Sequence, residues 1–144
     1  MDRTSKPITG GCLCGAVRFS IDAEPMLTRV CWCRLCQHIG AGSATVNVVF
    51  PAGTLAIEGP VTDYVCAAES GNTMHRRFCP TCGSHLFSAP EQRADLVIIR
   101  AGALDDPNLA NPGVTIWTSE APRWACFDPD LPQTSHQPLP PPAK

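Results

Sequence analysis

Three short cysteine clusters constrain this chain more than any other feature. They read Gly11-Cys12-Leu13-Cys14-Gly15, Cys31-Trp32-Cys33-Arg34-Leu35-Cys36 and Cys79-Pro80-Thr81-Cys82-Gly83. Nine cysteines in 144 residues would suggest disulfides in a secreted chain, but the number is odd and residues 1–7 carry no apolar signal-peptide core. The chain is therefore expected in the cytoplasm, where thiols stay reduced and closely spaced cysteines serve as metal ligands. A soft dication such as Zn2+ takes tetrahedral thiolates, and two cysteines one or two residues apart on a tight turn can both reach one ion. Glycine behind such a knuckle permits positive φ and lets backbone N–H groups face the sulfurs.

The seven clustered cysteines divide as four plus three. Cys12, Cys14, Cys79 and Cys82 would make a closed site, structural by its coordination, whereas Cys31, Cys33 and Cys36 leave a fourth position open, as a reactive metal requires. Cys12 and Cys14 with Cys31 and Cys33 would also make four, and spacing alone does not separate these partitions. Cys66 or a histidine could close the second site. His38, His75 and His85 are read instead as solvated or hydrogen-bonded side chains, and Cys66 and Cys126 as small buried hydrophobes. Cys31 beside Cys33-Arg34-Leu35-Cys36 favours metal over a dithiol redox cycle.

Length and composition fit one globular domain, with 44% hydrophobic and 17% charged residues. A net charge of −2 without any Lys/Arg run argues against nucleic-acid binding driven by bulk charge. No apolar stretch is long enough to span a bilayer. Eleven glycines and fifteen prolines leave little room for long helices. Residues 16–21 alternate, with Val17, Phe19 and Ile21 on one face, and residues 45–50 and 95–100 read as more deeply buried strands. Shorter strands are expected at 54–58, 61–65, 84–88, 114–118 and 123–127, giving a mainly β domain with sheet packed on sheet. Asp105 and Asp106 read as turn formers. The domain is expected over residues 1–131, followed at 132–144 by a Pro-rich flexible or polyproline tail that follows or drapes it. A homodimer through a sheet edge is compatible with the pattern but not demanded by it.

The residues Gly11 to Phe19, Cys31 to Gln37, Arg77 to Ser84, Gly102 to Pro107 and the stretch from Ile116-Trp117 to Trp124, in this order, resemble the glutathione-dependent formaldehyde-activating enzyme family, which includes centromere protein V. The resemblance implies a Mss4-like fold of several small coiled antiparallel sheets. It also implies a structural zinc on Cys12, Cys14, Cys79 and Cys82 and a second, catalytic zinc on Cys31, Cys33 and Cys36. The reaction it implies is reversible condensation of glutathione with formaldehyde, a carbon–sulfur lyase activity. Glutathione carries two carboxylates, so cationic donors are expected at the site: Arg34 first, with Arg76 and Arg77 behind it. The sequence departs from the family at Trp32 and Thr115, where histidines are common. A non-catalytic zinc module binding a protein or a small thiol is the competing reading.

Overall fold

A computed structural model describes residues 6–138. The chain is mainly β, as its many short runs suggest. Strands β1 (Ile8–Gly11), β2 (Arg18–Ile21) and β5 (Leu55–Glu58) form a three-stranded antiparallel sheet in the order β1-β2-β5. The remaining strands are β3 (Leu27–Cys31), β4 (Thr45–Pro51), β6 (Thr62–Ala67), β7 (Thr73–Phe78), β8 (His85–Pro90), β9 (Leu96–Arg100) and β10 (Val114–Ile116). They join in one sheet ordered β10-β3-β4-β9-β8-β7-β6, antiparallel throughout except that β10 runs parallel to β3. Among the described residues a single α-helix, α1 (Arg34–Ile39), follows β3. The run at 123–127 forms no strand.

The two faces of the large sheet have opposite characters. On one face Val48, Phe50, Phe87, Val97 and Ile99 pack with Val17, Phe19 and Ile21 of the small sheet to form the main core. The small sheet closes tightly on the turn after β9: a Cβ on Gly10 would lie 2.2 Å from the Ala103 carbonyl oxygen and 2.3 Å from the ring of its cross-strand partner Phe19. The other face carries Arg29, Asn47, Val49, Arg76, Ile98 and Arg100, because residues two apart on a strand share a face. Cross-strand partners continue the pattern, as Asn47 sits opposite both Arg29 and Arg100, and Ser88 opposite both Arg76 and Ile98.

The Pro-rich stretch from residue 132 lies along the free edge of β10. Thr115 N–H donates to the Pro132 carbonyl (3.0 Å), Thr134 N–H to Thr115 (2.9 Å) and Thr118 N–H to Thr134 (3.2 Å). Trp117 Nε1 donates to Gln137 Oε1 at 2.8 Å. The rest of the expected tail, residues 139–144, lies outside the described residues.

Asp106 caps the turn at Pro107–Leu109, as a turn former should, but Asp105 has a longer reach. Its carboxylate takes a fork from Arg18 (2.9 and 2.5 Å) and the Thr9 hydroxyl (2.7 Å), tying the 101–109 turns to the small sheet. The Arg18 hydrogen bonds, with Thr9 behind them, hold the Asp105 carboxyl down at about 2. A carboxyl depressed on folding stabilises the protein above its unfolded pKa, and that stabilisation fades as pH falls through the folded value. Asp105→Asn should therefore be less stable than the parent at pH 7. Denaturant unfolding should show the gap narrowing between about pH 4 and pH 2.

Candidate metal and ligand site

The first and third cysteine clusters meet. Cys12, Cys14, Cys79 and Cys82 bring their sulfurs within 4.8 Å of one another. Gly15 (φ 82°) and Gly83 (φ 76°) take the left-handed turns behind the two knuckles. Val17 N–H points at Cys12 Sγ (3.3 Å) and Thr81 N–H at Cys79 Sγ (3.4 Å). The Ser84 hydroxyl lies 3.2 Å from Cys82 Sγ and is the first cause of that thiol's fall to about 5, with backbone N–H groups adding to it. Sulfurs on a tetrahedral zinc stand about 3.8 Å apart, given Zn–S near ~2.3 Å. The Cys12–Cys14 and Cys14–Cys79 sulfur separations are 3.6 and 3.8 Å, so this donor set fits zinc in spacing and in softness.

The second cluster stands apart from the first. Cys31 ends β3, Cys33 caps α1 by accepting from Cys36 N–H (3.4 Å), and Cys36 lies one turn on, so three buried sulfurs share one spot within 4.8 Å. No other Cys, His, Asp or Glu among the described residues joins them. Without a cation the three thiols compete for charge. Hydrogen bonds from Cys31 and Cys33 hold Cys36 well below the ordinary thiol range, helped by the charge of Arg100, while the same contacts push Cys31 far above it. A triad that crowds negative charge in this way suits a soft dication with a position to spare.

The three cysteines border a cavity of about 470 Å³, within the range of small-molecule sites. Cys31, Cys33 and Cys36 line one end, and Arg29, Asn47, Val49, Arg76 and Ile98 form the floor. Glu69, Ser70 and Asn72 of the β6–β7 turn form another wall, with Glu69 meeting Glu120 beside α1, and Gln92 and Arg93 also line the cavity. Trp117, Gln137 and Pro138 complete the wall from the C-terminal stretch. Trp117 holds a left-handed backbone (φ 59°), unusual for a bulky residue and found most often where a site over-determines it.

Several expected residues fall elsewhere. Arg34 does not line the cavity; its guanidinium turns onto Gln37 Oε1 (2.6 Å), and Gln37 in turn ties α1 to the Trp32 and Glu120 carbonyls. Arg76 does line it. Trp32 is buried but forms no cavity wall, packing edge-on against Trp124 and Phe127 with centroids 6.4 and 5.9 Å away. None of the three histidines joins a cluster, and His75 bridges Asp63 (2.6 Å) and Glu91 (2.8 Å). Cys66 is half-buried, accepting from Arg76 Nε at 3.2 Å, and Cys126 is exposed, so neither is the buried hydrophobe expected. Arg29, Asn47, Arg100 and Gln137 went unnoticed in the sequence. The signal available for Arg100 was a charged residue closing an otherwise apolar strand.

A family model described as glutathione-dependent formaldehyde-activating enzyme matches residues 7–120. A Halomonas elongata protein named "Putative glutathione-dependent formaldehyde-activating enzyme" is 33% identical over 103 residues, covering 68% of this chain and 66% of that protein. The fold is similar to that of a Rhodobacter sphaeroides protein of known crystal structure. There the TM-score is 0.57 at 20% identity, over 72% of this chain and 96% of that one.

Cys79 is fully buried and belongs to both the four-cysteine cluster and the main core. Cys79→Ser should lose the metal of that cluster and on the order of several kcal/mol of stability, since metal and folding free energy are the same quantity at a structural site. Cys126→Ser should lose neither. Elemental analysis and denaturant unfolding of the two variants check this.

Proposed function

The chain belongs to the glutathione-dependent formaldehyde-activating enzyme family, and from that premise we propose that it is a zinc-dependent carbon–sulfur lyase joining and parting a glutathione thiol and formaldehyde. The observation that carries this reading is the triad of Cys31, Cys33 and Cys36 set in the wall of a cavity, with no fourth protein ligand among the described residues. In it one zinc staples Cys12, Cys14, Cys79 and Cys82, and a second sits on the triad. Bound there, zinc supplies a cationic position that keeps a substrate sulfur as thiolate near neutral pH.

The rest of the work falls to the chain. Three cysteinates leave the centre with a net negative charge, which suits thiolate delivery better than activation of a carbonyl oxygen. The sulfur lone pair forms the S–C bond as the aldehyde π bond opens onto oxygen. The proton given up by the thiol passes to water at the cavity mouth, and water there returns one to the new hydroxyl. The reverse reaction retraces these moves. Holding both reactants in one cavity lowers the barrier by removing their relative freedom.

The carboxylate receptor in this reading is Arg76 rather than Arg34. Arg76 is buried, lines the cavity and has no carboxylate within ion-pair distance among the described residues. A guanidinium so placed pairs with a planar carboxylate on two N–H groups. A cavity of this volume favours a small thiol over a protein partner. Among the described residues no helix is long and apolar enough to cross a membrane, and the reduced thiols and glutathione chemistry suit the cytoplasm.

Exchange between formaldehyde, glutathione and their adduct tests the proposal. The parent should accelerate it with two zinc ions per chain, and Cys33→Ser should slow it at least 100-fold. Arg76→Gln should raise the KM for glutathione about tenfold while Arg34→Gln changes it little, the loss of one charged pair being worth ~1.4 kcal/mol or more. A Cys33→Ser protein as fast as the parent would end the enzymatic reading. A parent that binds glutathione without accelerating exchange would make the chain a thiol-binding module.

A further inference from the structure

The cavity floor buries a second guanidinium that the reaction above does not use. Arg100 closes β9 and is 7% exposed. It donates to Asn47 Oδ1, to Ser88 Oγ at 2.6 Å and to Thr45 Oγ1 at 3.5 Å, all of them neutral acceptors. No carboxylate reaches ion-pair distance of it among the described residues, and its Nε has no acceptor. Burial strips a cation of its hydration, and neutral partners restore only part of the loss. Arg76 on the same face adds a like charge that acts against it.

Strand register shows where the balancing charge lies. Thr45, which accepts from Arg100, stands directly opposite Cys31 across β3 and β4. The guanidinium therefore sits beneath the triad, and the field of Cys36, then Cys31 and Cys33, opposes the effect of burial on Arg100. We infer that Arg100 is a positioning residue of the three-cysteine centre. Its fixed charge cancels the single excess negative charge that three thiolates leave around a divalent cation, and so sets how tightly the centre holds its metal. The inference rests on the proposal that the triad binds zinc.

Competition of the second centre against a graded chelator, with zinc and with cobalt(II) followed by its thiolate absorption, is the test. Arg100→Gln should hold the second metal at least tenfold more weakly, with the four-cysteine site unchanged. Arg100→Lys keeps the charge and loses the fork, and should stay within a few-fold of the parent. Ser88→Ala removes one hydrogen bond and no charge, and should match the parent. The inference is overturned if Arg100→Gln binds like the parent, or if Arg100→Lys or Ser88→Ala falls tenfold. Should Arg100→Gln fail to fold, Asn47→Asp, which sets a carboxylate on the guanidinium and cancels its charge, should weaken the second metal by the same tenfold, and parent-like binding there overturns the inference. A parent that takes up only one metal overturns the zinc reading itself, and this inference with it, whatever the variants do.

Discussion

The large sheet has to stay dry on one side and charged on the other, and the rest of the molecule follows from how it does so. Strand geometry turns successive side chains to opposite faces, so a single residue of β4 or β9 separates the core from a buried arginine. Val48 and Ile99 face the small sheet, while Asn47 lines the cavity and Arg100 lies buried beneath its floor. This alternation lets a seven-stranded sheet hold guanidinium groups without wetting its core. It also requires that something cover the charged face, and the β6–β7 turn, α1 and the C-terminal stretch share that task.

The parts of the structure legible in the sequence were those whose chemistry is local. Each cysteine knuckle announces itself within five residues, and the apolar alternation of residues 16–21 appears as β2, with Val17, Phe19 and Ile21 buried. The strands at 45–50 and 95–100 were legible for the same reason. The strands that went unread were β1, β3 and β7. The last two contribute Arg29 and Arg76 to the charged face, and Thr28-Arg29-Val30 and His75-Arg76-Arg77 look like exposed loop because those arginines are covered only by distant chain. The expected strand at 123–127 failed for the converse reason: Trp124 and Phe127 are apolar because they pack on Trp32, not because they pair in a sheet.

Site residues divided along the same line. Proximity in sequence pointed to Arg34, which lies inside the second cluster, yet one helical turn carries its side chain outward onto Gln37. Arg76 lies far from that cluster in sequence and reaches the cavity only through the order of the sheet, three strands beyond β4. A sequence shows which residues can bind a metal; which charges gather around it is a property of strand order.

The chain that runs along β10 has a consequence for assembly. A sheet of seven strands exposes two backbone edges, and such edges are where chains join. Residues 132–135 already occupy the donors and acceptors of β10, beside the strand that ends in Cys31. The large sheet is left with β6 as its open edge, where Tyr64 and Val65 are exposed. Backbone-to-backbone growth of this sheet is thereby steered to the strand at the other end of its order. A second chain docking there would lie along the strand that leads into the β6–β7 turn, one wall of the cavity.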